Sequence, residues 1–228
     1  PARSQSRTGI KTKPIIASRK GFQIMLVQPG VHYYSGWLSR EGQEALVTEL
    51  ETALEIAPWF QPTMPRWGTP FSVRMTNLGP LGWVSDKSGY RYQALHPDTG
   101  NPWPQLPESI RDLWRDVAHY PHPPEACLVN YYGGKAKMGL HQDRDEADFD
   151  APVVSLSLGD DALFRIGTTE RDGPTTSLKL KSGDVLVFGG PARLAFHGID
   201  RIYPGSSALL REGGRINMTL RRVTYPAA

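Results

Sequence analysis

The sequence predicts an all-β core of the sandwich or jelly-roll type with flanking helices, an α+β chain overall. Three observations carry this expectation. From residue 126 onward, six short β-branched or alternating runs fall within about a hundred residues, the strand density of a sandwich or jelly roll. Two earlier segments carry apolar residues at helical spacing. The 228 residues are 39% hydrophobic and 21% charged, with 23 Gly and 20 Pro. That composition suits a turn-rich globular fold and excludes disordered and fibrous classes.

Taken in order, residues 1–20 read as a basic flexible arm holding Arg3, Arg7, Lys11, Lys13, Arg19 and Lys20 without an acid. Removing those six from the 26 basic residues leaves 20 against 23 acids, so the net charge of +3 belongs to the arm. Such an arm either attracts phosphates without reading sequence or is a solvated leader. GFQIMLVQPGVHYY reads as a first strand ending in a turn at Pro29-Gly30. Residues 38–56 read as a helix, with Ser39 as N-cap and Ala45, Leu46, Leu50, Ala53 and Leu54 on one stripe. Residues 58–124 are rich in Pro, Gly and aromatics with little periodicity, which predicts an ordered cover over a functional site. Within them, 107–119 reads as a second helix with Ile110, Leu113, Trp114 and Val117 aligned. The strands follow at 128–132, 151–158, 162–166, 176–180, 184–188 and 215–223, separated by turns such as Arg171-Asp172-Gly173-Pro174. The expected division is therefore 1–20 arm, 21–125 N-terminal extension, and 126–228 β-core, with one catalytic domain overall.

The single cysteine, Cys127, has no internal partner for a disulfide. Nothing in the sequence points to an oxidising compartment. No apolar run reaches the roughly 20 residues of a membrane helix, and no secretion signal is evident. The expectation is a cytoplasmic monomer with no membrane contact.

The chemistry concentrates in NYYGGKAKMGLHQDRDE, residues 130–146. In an extended segment His141 and Asp143 point to the same side and can grip one metal ion. A third ligand must come from elsewhere in the chain, and His197 in VFGGPARLAFHGI is the candidate. Two histidines and a carboxylate are the facial triad of non-haem Fe(II) oxygenases, which leaves positions open for a co-substrate and oxygen. In the last strand Arg215, Asn217, Thr219 and Arg221 share one face, while Ile216, Met218 and Leu220 share the other. That face reads either as a solvated side of an ordinary strand or as a polar barrel interior. On the second reading the arginines, about 20 Å apart at their backbones, hold the two carboxylates of a small diacid. His32, His96, His119 and His122 read as surface or loop residues. The run Asp143, Asp145, Glu146, Asp148 and Asp150 lacks the glycine and terminal glutamate of a calcium loop.

Together H-x-D, the distal histidine, R-x-N-x-T-x-R and N-x-Y resemble the AlkB family of Fe(II)- and 2-oxoglutarate-dependent dioxygenases, most closely its bacterial DNA-repair type. MTNLGPLGW, GYRYQALHPDTGNPWP, ACLVNYY, LHQDRDE and VSLSLGDDALF extend the match over about residues 23–223. Members of that family remove alkyl groups from nucleic-acid bases oxidatively. The resemblance implies a double-stranded β-helix (jelly roll) whose N-terminal part, 21–125, contains a nucleotide-recognition lid. It implies Fe(II) bound by His141, Asp143 and His197, and 2-oxoglutarate bound by Asn130, Tyr132, Arg215, Asn217 and Arg221. On the substrate side it points to Trp83 stacking on a flipped base opposite His141, to Asp145 near the exocyclic amine, and to Met75, Tyr90 and Arg171. Two departures stand out. Tyr131 replaces an Arg found in the bacterial type, and Gly133-Gly134 replaces the usual Pro-Gly, both placed at the pocket rim on this reading.

The implied reaction consumes 2-oxoglutarate and O2, releases succinate, CO2 and formaldehyde, and restores 1-methyladenine and 3-methylcytosine in single- or double-stranded DNA, with RNA as a further substrate. Base extrusion is cheapest at a damaged pair or a single strand. Two other readings remain open on the sequence. One keeps iron and 2-oxoglutarate but hydroxylates a protein or small molecule. The other is a non-catalytic binder of alkylated nucleic acid, metal-free or holding zinc, which the same ligand set accepts.

Overall fold

The computed structural model describes residues 15–19 and 22–226. In chain order the elements are β1 (Ile15–Arg19), β2 (Phe22–Gln28), β3 (Val31–Ser35), α1 (Arg40–Ile56), β4 (Arg74–Leu78), β5 (Gly82–Asp86), β6 (Gly89–Gln93), α2 (Glu108–Val117), β7 (Ala126–Tyr132), β8 (Met138–His141), β9 (Val153–Gly159), β10 (Asp161–Ile166), β11 (Thr176–Leu180), β12 (Val185–Phe188), β13 (His197–Tyr203) and β14 (Arg215–Arg221). An eight-stranded sheet runs β1-β2-β3-β12-β9-β14-β7-β4, a four-stranded sheet runs β11-β10-β13-β8, and β5 and β6 form a separate hairpin. Leu128, Val153, Leu186 and Phe188 of the large sheet meet Phe164, Ile166 and Ile199 of the small one in a shared core. This is the jelly-roll core with flanking helices expected from the sequence.

Both helices lie on the outer face of the large sheet. Leu46 and Leu50 of α1 and Ile110, Leu113 and Trp114 of α2 pack with Val154, Leu156 and Leu158 of β9 and Ile216, Met218 and Leu220 of β14. Burying each such side chain contributes about 1.5–3 kcal/mol. Ser39 caps α1, its Oγ accepting from the Gly42 amide at 3.2 Å. The second helix ends at Val117, short of the expected 119, and His119 takes φ 51°. Every residue of β9 is buried, because one face lies under the helices and the other lines the interior of the roll. In β14 every residue but the half-buried Asn217 is likewise buried, so its polar face is interior and not solvated.

Several sequence expectations are corrected. Of the 1–20 arm, Ile15–Arg19 form β1 and pair with β2, while the remainder of the arm lies outside the described residues. The GFQIMLVQPGVHYY run is a hairpin: the residues beyond Pro29-Gly30 return as β3. Gly30 has φ 80°, and a Cβ there would lie 2.4 Å from the Gly189 carbonyl, so the turn requires glycine. The boundary at 126 does not mark the edge of the sheet, since β2, β3 and β4 pair into it. Strands β8 and β13 lie outside the six expected runs: Gly139 interrupts the first, and exposed Asp200 and Arg201 obscure the alternation of the second. His96 is in a loop but buried at 1% exposure, its Nδ1 accepting from the Asp98 and Thr99 amides. Tyr131 points to the outer face, packed on Trp59 with Arg74 over its ring, and so is not on the rim of the interior. Among the described residues no helix is long and apolar enough to cross a membrane.

Candidate active site

His141 closes β8 and His197 opens β13, and the antiparallel register sets them directly opposite each other. Opposed residues project to one face, and the rings stand 4.5 Å apart between centroids. This approach depends on Gly198, where a Cβ would fall 2.5 Å from the Met138 carbonyl oxygen. A larger residue must therefore push β8 away from β13. Asp143 follows as the chain leaves β8. Its Oδ1 is 3.8 Å from His141 Nε2 and its Oδ2 is 3.8 Å from His197 Nε2. One ligand atom from each residue falls within 4.8 Å of the others.

Protonation in this cluster follows from its surroundings. His141 Nδ1 lies 2.9 Å from the Gly139 carbonyl and His197 Nδ1 lies 3.0 Å from that of Ala195. Each Nδ1–H donates there, which leaves both Nε2 lone pairs facing Asp143. Burial, and then the neighbouring His141, push His197 down to about 4, so it is neutral at physiological pH. For Asp143, burial opposes ionisation, but Arg221 and the two histidines outweigh it and hold the carboxyl well below its usual range. Two imidazole Nε2 atoms and one carboxylate converging on one point fit a divalent cation such as Fe(II).

The inner face of β14 continues the site. Asn217 pairs in register with Asn130, and Arg215 with Tyr132, so R-x-N and N-x-Y are two sides of one ladder. Arg215 is fully buried, with Nη2 donating to Ser157 Oγ at 2.6 Å and Nη1 to the Asp160 carbonyl at 3.3 Å. Its Nε has no partner, nor does Asn130 Oδ1. Burial lowers the Arg215 guanidinium to about 10, which still leaves it charged at neutral pH. Asp184 and Asp161 favour its charge from a distance, but among the described residues no carboxylate forms a direct ion pair with it, and a ligand carboxylate at the open Nε would relieve its burial. The open Nε–H donor of Arg215 fits a carboxylate of a small diacid such as 2-oxoglutarate. Asn217 is held by its own bonds to Ser155 Oγ at 2.7 Å and to Thr219.

Arg221, at the opposite end of the strand, is engaged within the protein. Its Nε and Nη2 donate to Asp143 Oδ2 at 3.0 and 2.8 Å, and Glu146 Oε1 lies 3.5 Å from its Nε. The sequence reading treats the two arginines as matched forks, but only Arg215 retains an unpartnered donor.

Above the metal cluster opens a cavity of about 500 Å³. Every candidate metal, co-substrate and base-pocket residue lines it, including Met75, Trp83, Tyr90, Asp145 and Arg171, whereas Tyr131 and Gly133-Gly134 do not. Trp83 Nε1 donates to Asp145 Oδ2 at 2.8 Å, and Tyr90 stacks on the Trp83 ring at 5.6 Å. Met75 is buried opposite Asn130 in register, whereas Arg171 is exposed over the Phe196 ring. The residues that sequence reasoning missed are Ser157, Tyr92, Glu146 and Arg193. Ser157 alternates with apolar residues in VSLSLG, a signal for an inward polar position. Arg193 carries no motif, and its contacts come from distant segments.

The 2OG-Fe(II) oxygenase superfamily matches over residues 30–221. An alpha-ketoglutarate-dependent dioxygenase AlkB homolog of Caulobacter vibrioides is 54% identical over 198 residues, covering 87% of this chain and 90% of that protein. The alpha-ketoglutarate-dependent dioxygenase AlkB of Escherichia coli K12 is 41% identical over 183 residues, covering 78% and 84%. Among solved structures, OsALKBH1 superposes with a TM-score of 0.76 at 30% identity, covering 87% of this chain and 99% of that one.

Proposed function

The chain belongs to the 2OG-Fe(II) oxygenase superfamily, with AlkB as its bacterial relative, and from that premise we propose that it removes methyl groups oxidatively from 1-methyladenine and 3-methylcytosine in DNA, and in RNA as a further substrate. It is an Fe(II)- and 2-oxoglutarate-dependent dioxygenase. When bound, iron, co-substrate and oxygen supply oxidative decarboxylation to succinate and CO2 and oxidation of the N-methyl group, which leaves as formaldehyde. What carries the reading is that Trp83, tied to Asp145, faces the same cavity as the His141, Asp143 and His197 cluster.

The chain's own residues divide the work. His141, Asp143 and His197 hold the metal through Nε2, a carboxylate oxygen and Nε2. Arg215 would meet a carboxylate of 2-oxoglutarate through its free Nε, Asn130, Tyr132 and Asn217 would line the co-substrate's site, and Arg221 holds the Asp143 carboxylate ionised. Trp83, backed by Tyr90, stacks on the extruded base, contributing about 1–3 kcal/mol without demanding sequence. Asp145 accepts from the exocyclic amine of the base, Met75 forms the apolar floor, and exposed Arg171 meets a flanking phosphate. The β5–β6 hairpin and the loops of residues 58–73 act as the nucleotide-recognition lid. One chain holds every role, which supports a monomer working on cytoplasmic nucleic acid.

The test supplies Fe(II), ascorbate and 2-oxoglutarate with single-stranded oligonucleotides that carry 1-methyladenine, 3-methylcytosine or no methyl group. The expected result is succinate dependent on the methylated base with formaldehyde in equal amount. Equal 2-oxoglutarate consumption with methylated and unmethylated strands, and no formaldehyde, would reject the substrate and leave a dioxygenase acting on something else.

A further inference from the structure

We infer that Glu146 is a positioning residue: it ties the β5–β6 hairpin, which carries the base platform, to the loop that carries Asp143. The inference rests on the functional reading above and adds to it a mechanical link between the base pocket and the metal cluster. Trp83 of β5 and Tyr92 of β6 are direct register partners, so both side chains leave the hairpin on the same face. They reach two consecutive carboxylates: Trp83 Nε1 donates to Asp145, and Tyr92 Oη donates to Glu146 Oε1.

Glu146 is itself fixed from below. Its side chain is 2% exposed, and Oε2 accepts from Arg193 Nη2 at 3.0 Å. Arg193 also donates through Nη1 to the Asp143 carbonyl at 2.7 Å and through Nε to the Ala151 carbonyl at 2.9 Å. On the other side Glu146 Oε1 lies 3.5 Å from Arg221, which forks onto the Asp143 carboxylate. Asp143 and Glu146 thus face Arg193 and Arg221 as a closed, charge-balanced quartet, the arrangement in which buried ions tolerate burial. Arg193 holds the backbone of Asp143 while Arg221 holds its side chain. Glu146 touches both arginines and, through Tyr92, the hairpin. A shift of the hairpin that breaks the Tyr92 bond leaves a buried carboxylate oxygen under-satisfied beside the metal ligand, so the two parts are set in one geometry or both are disturbed.

Tyr92→Phe tests this, because it keeps the ring and removes only the hydroxyl. The full chain is compared with wild type by amide hydrogen exchange, without metal and then with a divalent metal and 2-oxoglutarate, and by steady-state assay on a methylated oligonucleotide. Exchange across residues 82–93 is expected to rise about tenfold, the effect of losing the hydroxyl's bond to the Glu146 carboxylate together with its weaker 3.4 Å contact with Arg221 Nη1, with β9 and β12 unchanged. KM for the methylated oligonucleotide is expected to rise roughly fivefold, with KM for 2-oxoglutarate within about twofold. Succinate should then exceed formaldehyde, because the co-substrate is consumed while the base is poorly seated. Unchanged exchange in the hairpin with succinate and formaldehyde still equal overturns the inference. So does faster exchange spread evenly over the chain with a lower melting temperature, which marks a merely structural bond. If wild-type protein releases no formaldehyde from any methylated strand, the demethylase reading falls, and the exchange comparison alone still decides the tie.

Discussion

Arg215 and Arg221 occupy the same face of the same strand, and both are buried, yet their electrostatic situations are opposite. Arg221 forks onto Asp143 and adjoins Glu146, so the protein answers its charge. Arg215 hydrogen-bonds a serine hydroxyl and a backbone carbonyl, feels Asp184 and Asp161 only without direct contact, and its Nε is left without a partner. One end of β14 is held by direct ion pairs, while the other keeps an open donor that suits the carboxylate of the proposed co-substrate. Sequence pattern alone makes the two arginines equivalent, while their partners make one a scaffold and the other a receptor.

The largest expected effect falls on the ion-paired end. Asp143→Ala removes a metal ligand and is expected to drop formaldehyde release below roughly one-thousandth of wild type. It also strands Arg221, so the metal-free protein should lose about 3–5 kcal/mol in denaturant unfolding. Next comes the direct contrast between the arginines. Arg221→Met should destabilise the metal-free protein by about 3–5 kcal/mol, since it leaves Asp143 and Glu146 short of a partner. Arg215→Met should leave metal-free stability within about 1 kcal/mol of wild type or raise it, while weakening 2-oxoglutarate roughly 10- to 100-fold in calorimetric titration. Equal destabilisation by both changes would erase the distinction.

A third prediction uses the ligand itself. With a redox-inert divalent metal, 2-oxoglutarate at about 100 times its Kd should contribute about 2.7 kcal/mol and raise the melting temperature by roughly 5–10 °C. Arg215→Met should show little of that shift at the same concentration. A fourth prediction concerns pH. His197 is buried neutral, with its value pushed down to about 4 by burial and by His141. Between about 6.5 and 4 the unfolded chain binds a proton that the folded one refuses, so stability of the metal-free protein should fall as pH drops through that window. His197→Gln should flatten this slope in melts between pH 7.5 and 4.5.

The grouping of His141, Asp143 and His197 was legible in the sequence because H-x-D is local and the facial triad it suggests calls for a third ligand, for which His197 was available. The inner face of β14 was half legible. Alternation identified which residues share a face, but whether that face was wet depended on α1 and α2 covering the opposite side. The N-terminal part was least legible. β4 joins the large sheet beside β7, yet its residues sit in a Pro- and Gly-rich stretch whose periodicity is broken by loops. The quartet around Glu146 had no local signature at all. Its members are residues 143, 146, 193 and 221, joined by Tyr92 of the hairpin, and only folding brings them into contact. Glu146 was visible merely as part of an acidic run, which solvent-exposed carboxylates imitate.

The measurement that tests the contrast along β14 most directly is a calorimetric titration of wild type and Arg215→Met, loaded with a redox-inert divalent metal, with 2-oxoglutarate and with 2-oxobutyrate, which lacks the distal carboxylate. Wild type should prefer 2-oxoglutarate by roughly 10- to 100-fold, the worth of a charge-assisted contact at Arg215. Arg215→Met should bind the two acids alike. A variant that keeps the full preference would contradict the account and place the distal carboxylate elsewhere in the cavity.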